Sequence, residues 1–264
     1  MKILPIVLFV VSALTAPAIA HREQAAATAT CSLTWVGSEA AIEQFLKTAE
    51  IQRLEDVPIG VTKPRRAVFA AGGPVARAAW KALPPSYRTG YHESYKAEIA
   101  GYLLDRMLDL HMVPPVVERK VDRSDGAMVY WIENIKAWDA KKPPAGPEPM
   151  WSRQISRMKL FDQLIANIDR NAGNMLYDED WHLFLIDHSR AFLERKDLKG
   201  TAAPTRIDKA LWSKMDALTR EGLLASLGTW LTPKEIDALL ARRDRMREAI
   251  NKSVAASGAA NVFF

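Results

Sequence analysis

Residues 161–192, FDQLIANIDRNAGNMLYDEDWHLFLIDHSRAF, constrain this chain more tightly than any other stretch. An apolar helix end runs into a polar loop, Asn167-Ile168-Asp169-Arg170-Asn171-Ala172-Gly173-Asn174, and an apolar strand then delivers a second acid, Asp187. Asn, Asp and Gly are ordinary turn residues, so Asp169 and Asn174 alone would describe only a polar turn. Followed by a short hairpin that ends on Leu185-Ile186-Asp187, they become three oxygen-bearing side chains brought towards one place.

Phosphoryl transfer is the chemistry that wants this arrangement. A carboxylate orients the attacking hydroxyl while an amide and a second carboxylate hold Mg2+ against nucleotide phosphates, because positioning and charge neutralisation supply most of the rate. Asp169 and Asn174 have the Asp-x-x-x-x-Asn spacing of a kinase catalytic loop, and Asp187 takes the place of the metal-binding acid on the strand behind it.

These residues resemble the catalytic core of the atypical kinase-like superfamily, the group holding the phosphatidylinositol 3/4-kinases, the HipA-type Ser/Thr kinases and the secretory-pathway FAM20-type kinases. Asn167, Asp169, Arg170, Gly173, Asn174 and the Ile186-Asp187 pair carry the resemblance, which is looser but in the right order over residues 50–200. Two features depart from ordinary protein kinases. Their Asp-Phe-Gly reads Asp187-His188-Ser189 here, and no Gly-x-Gly-x-x-Gly phosphate loop precedes it. The resemblance implies an α+β, two-lobed fold with a small β-rich N-terminal lobe and a mainly helical C-terminal lobe. It also implies ATP with Mg2+ or Mn2+ as cofactors and a protein or small-molecule hydroxyl as acceptor. Asp169, with Arg170 beside it, would be catalytic, and Asn174 and Asp187 would be the metal ligands.

Further sites follow from the same resemblance. Between Ile51 and Leu83 short extended runs are broken by Pro58, Gly60, Pro64 and Gly72-Gly73, where the small lobe begins. The turn around Gly60 would stand in for the phosphate-covering loop. The run Val75–Lys81 ends in a lysine, and Lys81 is the candidate for the strand lysine that bridges phosphate and a helix glutamate. Residues 92–110 form an amphipathic helix with Ile99, Leu103, Met107 and Leu110 along one face, so Glu98 is assigned as the partner of Lys81, with Glu93 in reserve. Strands Val116–Lys120 and Ala127–Ile132 are joined by a turn containing Ser124-Asp125-Gly126, a hairpin signal. Glu133-Asn134 sits where a kinase-like chain passes between lobes, with main-chain groups available to an adenine edge.

Residues 1–20, MKILPIVLFVVSALTAPAIA, have the layout of a signal peptide cleaved before His21. The apolar core is short for a membrane span, so no stable span is expected after cleavage, and the product would be exported to a bacterial periplasm or secreted. Cleavage leaves 35 basic against 31 acidic side chains. The basic runs Lys63-Pro64-Arg65-Arg66 and Arg242-Arg243-Asp244-Arg245 are not interleaved with aromatics, so specific nucleic-acid binding is not expected. A lone cysteine, Cys31, permits no internal disulfide. Neither zinc spacing among the five histidines nor a Gly-x-Ser-x-Gly elbow supports a zinc hydrolase or an esterase.

The chain therefore divides into a signal peptide at 1–20, an N-terminal helical extension at 21–50, a small nucleotide-binding lobe at 51–137 and a large catalytic lobe at 138–264. Within the last, Trp151, Ile155, Met158, Phe161 and Ile165 mark a core helix leading into the loop, in which Asp162 is either a brace for the loop's shape or a solvent-facing acid. Thr232-Pro233-Lys234-Glu235 marks a capped helix start, and the residues from Val254 read as a frayed end. The expectation is an ATP- and metal-dependent phosphotransferase. Its competitors are a pseudokinase that keeps the fold as a binding module, and a nucleotidyl or lipid-directed transferase on the same fold.

Overall fold

The structure, a computed structural model, describes residues 35–57, 63–88 and 90–264. The leader at 1–20, Cys31 and Gly60 lie outside the described residues. Within them the chain builds a β-sheet lobe followed by a helical lobe.

The small lobe is a five-stranded antiparallel sheet in the order β1-β2-β3-β7-β6, from β1 (Arg53–Asp56), β2 (Arg65–Val68), β3 (Arg77–Lys81), β6 (Val116–Val121) and β7 (Ser124–Tyr130). Successive strand residues point to opposite faces, and the sheet uses both. Ala78, Trp80, Val117 and Met128 pack with Ile42 and Leu46 of α1 (Glu39–Thr48). Their strand neighbours Ala79, Val116, Ala127 and Val129 join the core around α2 (Tyr95–Leu108). Lys81 has the parity of Ala79, which turns its side chain towards α2. Arg119 of β6 donates to the carbonyls of Leu46 and Ala49 at 2.8 and 2.5 Å, supplying donors that the end of α1 lacks.

Two sequence expectations change here. The β6–β7 turn is the two-residue Asp122-Arg123 pair, both at positive φ, and Ser124-Asp125-Gly126 begins β7. Gly126 serves strand packing instead: a Cβ there would meet the Lys81 carbonyl oxygen at 2.6 Å and Trp80 Nε1 at 2.9 Å. The helix after β3 is shorter than 92–110, because Tyr91–Glu93 (β5) pairs with Ser86–Arg88 (β4) as a hairpin. Ser94 caps α2 by accepting from the Lys96 N–H. The helix buries Tyr95, Glu98, Ile99, Tyr102 and Leu108 between sheet and large lobe, whereas Met107 is 37% exposed.

After β8 (Lys136–Ala137), α3 (Met150–Ile165) runs through the core of the large lobe, burying Trp151, Met158, Phe161 and Ile165. The polar loop after α3 and a 3-10 turn, Ala172–Asn174, lead into β9 (Met175–Tyr177) and β10 (Leu183–Leu185). Helices α4 (Lys209–Asp216), α5 (Arg220–Leu227), α6 (Pro233–Ser257) and α7 (Ala259–Val262) complete the lobe. The capping box forms as read: Glu235 N–H donates to Thr232 Oγ1 at 3.2 Å and Thr232 N–H to Glu235 Oε2 at 2.7 Å. Residues past Val254 are not frayed, since Ile207 bridges to Phe263 and its N–H donates to the Val262 carbonyl at 2.8 Å. Arg242, read as part of a solvated basic run, is fully buried and donates to the carbonyls of Leu164 and Leu193 at 2.9 and 2.8 Å and to that of Arg195. It ties α6 to the end of α3 and to the segment beyond Asp187. No helix among the described residues is long and apolar enough to cross a membrane.

Candidate active site

Three elements meet at Lys81. Its Nζ lies 2.5 Å from Glu98 Oε1 and 3.0 Å from Asp187 Oδ1. Glu98 is held from its other side by the His188 N–H, which donates to Oε2 at 3.0 Å. Asp187 follows β10 with φ +59°, a left-handed conformation uncommon for a non-glycine residue and frequent at functional sites. Its Oδ1 also accepts from Ser189 Oγ at 3.0 Å.

The electrostatics follow from one ammonium shared by two carboxylates. Burial by itself would drive Lys81 towards neutrality, but Asp187 and Glu98 hold it charged and raise its pKa. Burial likewise pushes the Glu98 carboxyl up, more than Lys81 draws it down. At Asp187 burial acts upward too, yet the Lys81 ammonium and the Ser189 hydroxyl win and hold it below the usual carboxylate range. Of the two carboxyls, that of Asp187 is the one held firmly ionised.

The loop before it is built around a buried ion pair. Arg170 Nε and Nη2 reach the Asp162 carboxylate at 3.0 Å each, and Nη1 donates at 2.8 Å to the carbonyls of both Asn174 and Ile186. Asn167 Nδ2 donates to Asp162 Oδ1 at 3.0 Å, so the helix acid named as a brace holds both ends of the loop's first turn. Arg170, grouped with Asp169 from the sequence, is turned inward and shapes the loop rather than facing its mouth. Asp169 faces outward, with a side chain 31% exposed. Its Oδ1 accepts from Asn171 Nδ2 and its Oδ2 from Arg190 Nη1, each at 3.1 Å. The Asn174 amide donates Nδ2 to the Asp169 carbonyl at 2.8 Å, which leaves the amide oxygen as the end able to meet a cation. Ile186 N–H bonds the Asn174 carbonyl at 3.2 Å, setting Asn174 beside the approach to Asp187.

His188 is buried. Its Nε2 lies 2.8 Å from Arg170 Nη2 and so must accept, its ring packs edge-on to Phe161, and a Cβ on Gly101 of α2 would touch it at 3.3 Å. Burial, then the Arg170 and Lys81 charges, depress its pKa well below the ordinary value, so it is neutral. Glu133 lies at the junction of the lobes, its carboxylate gripped by Arg77, whose guanidinium also lies over the Trp131 ring at 5.5 Å. Lys81 pairs with Glu98 and Asp187, and Glu93, the reserve partner, pairs elsewhere. It accepts from Arg190 Nε and Nη2 at 2.8 and 2.7 Å. That Glu93–Arg190–Asp169 chain, and the burial of Arg242, escaped the sequence reading, since nothing local in the sequence links positions so far apart.

The donor set suits a hard divalent cation. Among the described residues no group of three or more His, Cys, Asp and Glu could hold a metal ion. Mg2+ at nucleotide sites does not need one, since it takes one or two protein oxygens and completes its shell with phosphate and water. Asn174 and Asp187 supply two such oxygens and no nitrogen or sulfur.

No family model matches the sequence, and neither does any curated protein. The similarity lies in the fold. A hydra Fam20 solved with sugar superposes with a TM-score of 0.68 at 17% identity, covering 85% of this chain and 91% of that one. The Golgi casein kinase with Mn/ADP bound gives 0.65 at 14% identity, covering 85% and 78%. A second structure of the Golgi casein kinase gives 0.66 at 14% identity, covering 85% and 79%. The chain shares the α+β fold of these structures, a β-sheet lobe followed by a helical lobe.

Proposed function

We propose that this chain is an exported, ATP- and divalent-metal-dependent phosphotransferase that acts on a hydroxyl of a protein or small molecule. The observation that carries the reading is the ion-paired Lys81–Glu98–Asp187 cluster, with Nζ 2.5 and 3.0 Å from the two carboxylates, beside a loop that presents Asp169 and Asn174. The Mn/ADP bound to the Golgi casein kinase supports the choice of cofactors.

Each side chain then has a task. Glu98, fixed by the His188 N–H, holds the Lys81 ammonium where phosphate oxygens can replace Asp187 as its second partner. Asn174 and Asp187 would hold Mg2+ or Mn2+, which when bound neutralises charge on the phosphates. Main chain near Glu133 would meet the adenine edge. Asp169 accepts the hydrogen bond of the acceptor hydroxyl, orients its oxygen and takes its proton as the terminal phosphoryl group passes from ADP oxygen to acceptor oxygen.

The test is turnover of ATP labelled in its terminal phosphate, with Mn2+ or Mg2+ and a panel of hydroxyl acceptors. Product mass increased by one phosphoryl group, with ADP released, supports the reading. A nucleotidyl adduct points to the alternative transferase, and metal-dependent nucleotide binding without turnover points to a pseudokinase. N-terminal sequencing of the chain recovered from an exporting host tests cleavage before His21.

A further inference from the structure

We propose that Arg190 is the positioning residue for Asp169, clamped in place by Glu93 and Tyr91 of the small lobe. For its effect on turnover this rests on the phosphotransferase reading above.

Strand β5 is three residues long, and its alternation puts Tyr91 and Glu93 on the same side. Both meet one guanidinium. Glu93 Oε1, in a nearly buried side chain, accepts from Arg190 Nε and Nη2, while the Tyr91 ring lies 4.3 Å from the guanidinium carbon. With one edge fixed by a carboxylate and its face covered by a ring, the planar group has one direction left for Nη1. That direction is Asp169 Oδ2, at 3.1 Å. An arginine can donate to the carboxylate but cannot take its proton at any working pH. It therefore fixes the rotamer of Asp169 without competing for the acceptor's proton.

The same short segment reaches the nucleotide side. Ser94, next to Glu93, donates its N–H to the Ser189 carbonyl at 2.9 Å and caps α2, the helix that carries Glu98. Residues 93–98 thus anchor Lys81 through Glu98 and Asp169 through Arg190. A cavity of about 500 Å3 adjoins the clamp, lined by Tyr91, Arg190, Leu193 and Ile168, the residue before Asp169. The clamp consequently stands on the side from which an acceptor can reach the outward-facing carboxylate.

The experiment compares wild type, Arg190→Met, Arg190→Lys, Asp169→Asn and the Arg190→Met/Asp169→Asn double variant as the full chain. ADP release from Mn2+/ATP with water as acceptor reads the chemistry, and the thermal shift with Mn2+/ADP reads the nucleotide side. Arg190→Met is expected to lower kcat roughly tenfold or more with the Mn2+/ADP shift retained, because a misplaced carboxylate costs turnover and not nucleotide binding. Arg190→Lys keeps the charge without the fork and should recover part of the loss. In the Asp169→Asn background the same change should cost about twofold or less, as expected when one residue acts through another. Losses that multiply, or a Mn2+/ADP shift lost in Arg190→Met, overturn the proposal. If wild type releases no ADP with water or with any acceptor of the hydroxyl panel, the phosphotransferase reading fails, and crystal structures of wild type and Arg190→Met decide the clamp separately. An Asp169 carboxylate displaced from Asn171 supports it, and one left in place overturns it.

Discussion

Replacing Arg170 by Met should unfold the protein far more readily than replacing Asp169, two positions commonly grouped together in a catalytic loop. Both members of the Arg170–Asp162 pair are nearly buried. Methionine fills much of the arginine's volume but leaves the Asp162 carboxylate with only Asn167 Nδ2, and leaves the Asn174 and Ile186 carbonyls without the 2.8 Å donors they now have. Removing one partner of a buried pair costs about 3–5 kcal/mol. For a domain of this size each kcal/mol moves Tm by about 2–4 °C, so the melting temperature should fall on the order of 10 °C. Urea denaturation followed by tryptophan fluorescence measures it. The Arg170→Met/Asp162→Asn double variant, which leaves no unpaired charge, should be more stable than Arg170→Met alone. Asp169→Asn, at a partly exposed site, should stay within about 1 kcal/mol of wild type. A change under about 1 kcal/mol for Arg170→Met, or a double variant no more stable than the single, would refute the assignment of Arg170 to the loop's framework.

The neutral, buried His188 makes stability depend on pH. Its pKa is depressed in the folded protein, so below about 6.5 the unfolded chain binds a proton that the native one does not, and stability falls as pH falls. One such group removes at most about 1.4 kcal/mol between pH 7.5 and 5.5; the pH dependence of stability should be flatter in His188→Asn than in wild type, and equal slopes would contradict it. Gly126→Ala forces a Cβ against the Lys81 carbonyl at 2.6 Å, and the resulting overpacking should destabilise by about 1–3 kcal/mol. Calorimetry would find Tm unchanged only if β3 and β7 can separate at no cost.

Much of the site was legible because its parts are local in sequence. Asp169 and Asn174 share one loop, and Asp187 follows on the next hairpin. Lys81 and Glu98 could be paired because a strand end and the following helix leave few alternatives at that separation. Arg190 and Glu93 are 97 residues apart, and a lone arginine after Asp187 carries no signal of its partner. The β6–β7 turn misled because Asp122 and Arg123 take positive φ without glycine, whereas the glycine nearby answers to a close approach of β3. Arg242 was hidden for a different reason: a charged run reads as solvated until packing shows carbonyls from two segments converging on one of its members.

The most direct test of the account is a thermal-shift titration with ADP, in Mn2+ or Mg2+ and then in EDTA, on wild type and Asp187→Ala. Nucleotide at a hundredfold excess over its dissociation constant stabilises the folded state by about 2.7 kcal/mol. At about 2–4 °C per kcal/mol this is a rise of roughly 5–10 °C. Wild type with metal should show that rise, and the rise should be lost both in EDTA and in Asp187→Ala. A folded wild type that shows no shift, or an equal shift without metal or without the Asp187 carboxylate, would contradict it.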